Sequence, residues 1–211
     1  LGGKEKQVKT ETVKTDAVIV GTGAAGLFCA LNLPEDKKIL MITKSDVRSS
    51  DSYLAQGGIC VLKDEADYDS YFEDTMKAGH YENRKESVDI MIRSSRDVIR
   101  QLMDCGVEFA RKGEQEAPAD ADDGSAGGFL KDYAFTRGGA HSRPRILFHE
   151  DITGEEITGR LLERVKELHN VTIMEYTTMT DIIEEQGADG RYCAGVTAEG
   201  RDGQRLEIRA G

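Results

Sequence analysis

The chain has 211 residues, 38% hydrophobic and 32% charged, and carries a formal net charge of -11. That balance gives no support to a nucleic-acid-binding surface or an anionic-membrane partner; it suits a soluble globular protein long enough for one domain with a real core. No apolar run approaches the roughly 20 residues that cross a bilayer, and the first residues lack the apolar heart of a secretory signal, so the sequence predicts a cytoplasmic protein.

Residues 1–14 are polar and read as a flexible N-terminal tail. From Thr15 to Lys44 the pattern is strand, turn, helix, strand. Ala17 to Val20 form a continuous apolar run of the kind that suits a parallel strand covered on both faces. Gly21, Thr22, Gly23, Ala24, Ala25 and Gly26 then make a GxGxxG turn. In such a turn the first glycine permits the bend, the second admits a pyrophosphate to the backbone, and the third lets helix and strand pack closely. Leu27, Ala30, Leu31 and Leu33 fall near helical spacing, Pro34 and Asp36 end the helix, and a second strand runs from Ile39 to Ile42. The pattern predicts a dinucleotide-binding βαβ unit. At the end of the second strand, where an acid normally holds a ribose, stands Lys44; that is compatible with the 2′-phosphate of NADP or with a flavoprotein having another ribose contact.

Small, hydroxyl and glycine residues mark a loop over 45–62. Tyr68, Tyr71, Phe72 and Met76 then predict a helix stopping at Gly79. A longer helix, about 85–105, buries Val88, Met91, Ile92, Ile99, Leu102 and Met103, with Gly106 as its left-handed cap and Arg93, Arg96, Asp97 and Arg100 on a solvated face. Residues 113–128, acidic and rich in alanine and glycine, read as a surface insertion. Thr153 and Glu156 have the spacing of a capping box at the head of a helix whose buried stripe is Ile157, Leu161, Leu162, Val165 and Leu168. Strands follow at 171–176, 180–184, 192–198 and 205–209, and the glycine turns between the last three predict an antiparallel meander. The chain ends directly after a strand, with fewer parallel strands than a dinucleotide fold normally has, and reads as cut short. Cys29, Cys60, Cys105 and Cys193 have no ligand spacing and read as buried thiols, with no metal site.

Two segments carry a resemblance. Ser49 to Ile59, SSDSYLAQGGI, resembles the flavin-contacting loop of the fumarate reductase and succinate dehydrogenase flavoprotein superfamily. Tyr133 to Leu147, with His149 and the Asp151–Gly154 stretch, is similar to the TREGxHSxxRILH...D.TG signature of the L-aspartate oxidases. The resemblance implies an α/β fold: a Rossmann-like FAD-binding domain over 15–211, a parallel sheet with flanking helices plus a β-meander, incomplete at the C-terminus. The capping and C-terminal helical domains would lie beyond Gly211.

The implied activity is oxidation of L-aspartate to iminoaspartate with oxygen or fumarate as acceptor, the first step of de novo NAD biosynthesis, with quinolinate synthase as a possible partner. The implied FAD contacts are Gly21 to Gly26 at the pyrophosphate and Lys44 on the adenosine side. Asp51, Ser52, Tyr53, Leu54, Ala55, Gln56, Gly57 and Gly58 would surround the isoalloxazine, and Thr178 and Met179 the adenine. Thr136, Arg137, His141 and Ser142 form the implied substrate loop. Two positions depart from the pattern. Asp51 stands where covalent flavoproteins carry histidine, which implies non-covalent FAD. Gly138 stands where the signature has glutamate, and the main catalytic residues are expected beyond Gly211. A soluble fumarate reductase or succinate dehydrogenase flavoprotein, or a non-catalytic flavin-binding fragment, are the alternatives.

Overall fold

The computed structural model describes residues 10–113 and 127–211, which fall into two compact units: 10–53 with 161–211, and 54–113 with 127–160. The greater part of the tail and of the 113–128 insertion read from the sequence lies outside the described residues.

In the first unit the chain enters on β1 (Thr10–Thr15) and passes through Asp16 into β2 (Ala17–Val20). Helix α1 (Ala24–Asn32) then leads to β3 (Ile39–Ile42). The helix stops at Leu33, which is extended because Pro34 follows it and disfavours the helical region for the preceding residue. β3 is the middle of a parallel sheet, with β2 on one side and β6 (Val171–Met174) on the other, so all four of its apolar residues are buried. β2 lies at the edge and is only half-buried, with Val20 exposed at its carboxyl end; the expected cover on both faces belongs to β3 instead.

A second sheet in this unit contains β7 (Thr178–Gly187), β8 (Gly190–Glu199) and β9 (Arg205–Ala210). These form the expected antiparallel meander, and the sheet order is β1-β9-β8-β7. The fourth strand corrects the sequence reading. Thr10–Lys14, expected in a flexible tail, are strand residues paired in parallel with β9 from Thr10–Arg205 to Thr15–Ala210. Val13, one of them, packs on the core, as do Val18, Met174 and Met179. That core joins Leu40 and Ile42 of β3 to Val196, Ala198, Leu206 and Ile208, so the two sheets share one hydrophobic layer.

In the second unit, short strands β4 (Ile59–Cys60) and β5 (Ile146–Leu147) pair antiparallel, and helices α2 (Tyr68–Ala78) and α3 (Lys85–Asp104) pack together. Their core holds Leu62, Tyr71, Met76, Val88 and Ile92. The buried stripe of α3 is Val88, Ile92, Ser95, Ile99 and Leu102, a strict alternation of four- and three-residue steps. Met91 falls one position off that stripe and is exposed, contrary to expectation. The α3 end matches the sequence: Gly106 has φ of 96°, while the Val107 and Gly106 N–H groups donate to the Leu102 and Met103 carbonyls. Arg96 leaves the solvated face, donating to the carbonyls of Leu62, Lys63 and Gly127.

Helix α4 (Thr153–Glu167) begins at Thr153, and the Glu156 N–H donates to the Ile152 carbonyl at 3.0 Å, so Thr153 is the first helical residue rather than its cap. The Thr153 hydroxyl accepts from the His149 N–H, and the Glu156 carboxylate from the Glu108 N–H, so both serve neighbouring segments. Ile157, Leu161, Leu162 and Val165 are buried as expected. The cysteines are not uniformly buried: Cys29 and Cys193 are exposed, Cys60 and Cys105 half-buried, and none of the four is joined in a disulfide. Among the described residues no helix is long and apolar enough to cross a membrane.

Candidate functional site

The sequence of the turn after β2 dictates its shape. Gly21 has φ of 105°, a region that L side chains rarely adopt, and its N–H is held by the Ile42 carbonyl at 2.8 Å. A Cβ on Gly26 would stand 2.2 Å from the Gly21 carbonyl oxygen and 3.3 Å from Ile19 Cγ2; only glycine lets α1 start this close to β2. Gly23 is the N-cap of α1, extended and without a side-chain cap. No acid lies in the first helical turn. The amino end of α1 therefore presents backbone N–H groups and the positive end of the helix dipole, the requirements of a phosphate.

These residues fit a pyrophosphate. A Cβ at Gly21 would meet nothing within 4 Å, so the turn is open above its first glycine. The Thr22 side chain is buried and its hydroxyl donates to the Val47 carbonyl at 3.1 Å. Phosphate oxygens only accept, so what Thr22 has left to offer is its backbone N–H. Ser52 lies alongside, with Oγ 3.0 Å from where a Gly23 Cβ would be. The structure thus brings Ser52 of the loop after β3 to the glycine turn.

On the other side of the carboxyl edge, Thr43 N–H donates to Met174 and the Thr43 carbonyl accepts from Thr177. The Tyr176 N–H donates to the Ser45 carbonyl. Exposed Lys44 is therefore flanked by residues tied to the segment that opens into Thr178 and Met179; Met179 packs on the core while Thr178 is exposed. Glu175, overlooked in the sequence, accepts from the Val47 N–H at 2.8 Å and braces this loop. Its position just after a parallel strand was the available signal.

Asp51, exposed, and Tyr53, whose N–H donates to the Ser50 carbonyl at 2.9 Å, also belong to the first unit; the predicted residues from Leu54 to Ser142 lie in the second. Leu54, Ala55, Gln56, Gly57 and Gly58 are exposed, Leu54 at 70%. The Ala55 carbonyl accepts from the Gly154 N–H at 2.8 Å. Gly58 has φ of 90°, and a Cβ there would stand 2.4 Å from the Leu147 carbonyl oxygen, so the loop enters β4 through a position that excludes side chains.

The Thr136–Ser142 loop is held at its neck by paired backbone bonds between Thr136 and Ile146, 3.0 and 3.1 Å long. Arg137 is exposed and Gly138 half-buried. Arg145, inside the Tyr133–Leu147 signature, is completely buried. Its guanidinium lies on Asp67 through Nε and Nη2 at 3.0 and 2.9 Å, and reaches Asp74 through Nη1 at 2.6 Å. Asp67 and Asp74 stand seven residues apart around α2, which places both on one helical face. That spacing was legible, but nothing local pairs them with Arg145.

His141 is fixed by the same group. Arg145 Nη1 can only donate, so His141 Nδ1, 3.0 Å away, accepts. The neutral ring's proton is thereby assigned to Nε2, which faces Cys60 Sγ at 3.2 Å. Burial first, and the Arg145 charge second, pull the imidazole below its ordinary pKa, with Asp74 and Asp67 opposing. Burial likewise pushes the Cys60 thiol up. With both ring nitrogens engaged and the thiol protonated, this pair is not an activated nucleophile. A cavity of about 450 Å³ adjoins it, walled by Ile59, Tyr71, Met91, Val98 and Ile99 among others. The nearby hydroxyls of Thr75, Ser94 and Ser95 are turned back onto helix carbonyls.

The FAD binding domain family matches residues 16–211. Curated relatives include L-aspartate oxidases of Clostridium perfringens, 40% identical over 92% of this chain, Clostridium acetobutylicum, 37% over 88%, and Pseudomonas aeruginosa, 31% over 91%. The chain spans 39%, 38% and 35% of their respective lengths. Among solved structures, E. coli quinol fumarate reductase matches 95% of this chain and 32% of its own, with TM-score 0.79 and 22% identity. A flavocytochrome c3 fumarate reductase matches 94% of this chain and 32% of its own, with TM-score 0.73 and 19% identity; both likenesses concern the fold. With a family match that begins at the residue before β2 and runs to Gly211, the chain belongs to the FAD binding domain family, and its cofactor is FAD.

Proposed function

We propose that this chain is part of an FAD-dependent L-aspartate oxidase, which converts L-aspartate to iminoaspartate with oxygen or fumarate as electron acceptor and so opens de novo NAD biosynthesis in the cytoplasm. The observation that carries the reading is the 40% identity to a relative named L-aspartate oxidase over 195 residues. Quinolinate synthase, as the consumer of an unstable imine, is the partner this reading expects.

The turn Gly21–Gly26 would hold the pyrophosphate through backbone N–H groups, and Lys44, Thr178 and Met179 the adenosine end. Asp51, Ser52 and Tyr53 together with Leu54–Gly58 would contact the isoalloxazine. Asp51 has no imidazole nitrogen to join to the ring, so the flavin is held non-covalently. Bound FAD supplies a hydride acceptor and passes the electrons on. The chain's own contribution is to bind and orient. Arg137 offers a planar guanidinium for a substrate carboxylate, and Thr136, His141 and Ser142 shape the loop that carries it. Gly138 contributes no carboxylate, so a group near the substrate's amino end must come from elsewhere.

Purified full-length protein tests this. L-Aspartate turnover in air with equimolar peroxide is expected. Succinate oxidation without aspartate turnover would overturn the reading in favour of a fumarate reductase-type flavoprotein.

A further inference from the structure

Arg145 has more acid around it than its charge requires. Asp67 alone, gripping Nε and Nη2, neutralises the guanidinium, and Ser70 Oγ accepts a further bond from Nη2 at 2.9 Å. A second carboxylate in the same buried cluster leaves net negative charge there, which burial disfavours unless that carboxylate is used. Asp74 is used: its Oδ2, besides meeting Arg145, accepts from the Ser142 N–H and the Ser142 hydroxyl, both at 2.7 Å. One oxygen on α2 thus takes three donors, two of them from a single loop residue.

The consequence for the loop is geometric. Its near end is closed by the Thr136–Ile146 pairing, and the turn at its tip is closed by the His141 N–H donating to the Gly138 carbonyl at 3.0 Å. The far limb is held at His141, whose ring meets Arg145 and Cys60, and at Ser142, which alone among the described residues ties the limb's backbone N–H to helix α2. Between these anchors lies exposed Arg137. We propose that Asp74 is a positioning residue: by accepting both donors of Ser142 it fixes the far limb of the Thr136–Ser142 loop, and so the place of Arg137, for a substrate carboxylate. This rests on the reading of that loop as the substrate loop.

The test uses full-length, FAD-loaded enzyme and three forms, wild type, Asp74→Ala and Asp74→Asn. Asparagine keeps an oxygen for Ser142 but loses the charge toward Arg145, so it separates positioning from ion pairing. Asp74→Ala should raise KM for L-aspartate by about tenfold to a hundredfold with kcat within about threefold and flavin content unchanged, and Asp74→Asn should recover most of that loss. Amide exchange across residues 138–143, measured by mass spectrometry, should accelerate in the alanine form and stay slow in the asparagine form. An unchanged KM in Asp74→Ala, or equal defects in the two variants, would overturn the proposal. If wild type does not oxidise aspartate, the substrate reading fails on its own; the exchange pattern then decides whether Asp74 fixes the loop, and equal protection in all three forms refutes it. Should Asp74→Ala fail to fold, Ser142→Ala, which removes only the hydroxyl bond, should raise KM by about threefold, and no rise would count against the assignment.

Discussion

Replacing Gly26 by alanine would place a methyl carbon 2.2 Å from the Gly21 carbonyl oxygen, 3.2 Å from its carbon and 3.3 Å from Ile19 Cγ2. Carbon and carbonyl oxygen come to rest at about 3.3 Å, so the contact must open by about 1 Å. Neither side yields easily: the Gly21 peptide is tied to the Ile42 carbonyl of β3, and α1 is tied to the turn by the Leu27 N–H donating to Gly23 at 3.0 Å. Overpacking costs about 1–3 kcal/mol, and the upper end applies where the obstacle is backbone. The same shift moves the amides at the head of α1 away from the pyrophosphate. Losing one charge-assisted bond of about 1.5–3 kcal/mol should weaken FAD binding at least about tenfold. Urea unfolding followed by circular dichroism and FAD titration followed by flavin fluorescence measure the two effects. The same chemical change at Gly159, inside α4 with nothing within 4 Å of the new methyl, should instead stabilise by about 0.5–1 kcal/mol. A Gly26→Ala protein with wild-type midpoint and wild-type FAD affinity would refute the close-packing account of the turn.

Gly138→Glu should raise kcat/KM for L-aspartate, because the only contact tighter than 3 Å at its Cβ is 2.9 Å from the terminal Cδ1 of Ile146, a methyl that can rotate aside; unchanged turnover would show that a carboxylate at this position is dispensable. Stability should fall in acid through Asp74. Burial opposes its ionisation, but bonds from the Ser142 N–H, Arg145 and the Ser142 hydroxyl outweigh that and hold its carboxyl below the ordinary carboxylate range. The contribution is therefore complete above about pH 4 and is lost as pH drops through the lower folded value. In Asp74→Asn, melting temperatures between about pH 6 and pH 3 should fall less steeply than in wild type, and identical slopes would discount the group. Deleting residues 1–14 removes β1 pairing along β9 and the Val13 contact with the core, so chemical denaturation should show a loss of at least about 1.5 kcal/mol. An unaffected midpoint would restore the reading of these residues as a passive tail.

Legibility in the sequence followed the range of the interactions. The β2–turn–α1–β3 unit could be read because everything that shapes it is local: a glycine that must bend, one that must pack, an apolar run and a proline. The end of α3 was readable for the same reason, its cap being set by Gly106. β1 was missed because its residues, TETVKT, show little apolar signal of their own and the partner that orders them is β9, almost the whole chain away. Thr153 and Glu156 have the spacing of a capping box, but their side chains accept from the backbone N–H groups of His149 and Glu108, partners outside the helix that its local sequence does not show. Arg145, in the same signature as Arg137, is sealed against two aspartates more than 70 positions earlier, which no window of sequence could reveal. That pairing changes the loop's chemistry: Arg137 is left on the surface, while His141 and Ser142 become parts of its frame.

The most direct measurement is a structure of the full-length protein with FAD bound. The pyrophosphate oxygens are expected within hydrogen-bonding distance of backbone N–H groups among Thr22, Gly23, Ala24 and Ala25, at the amino end of α1. A diphosphate bound at any other edge of the β2-β3-β6 sheet, with those amides facing only water, would contradict that placement.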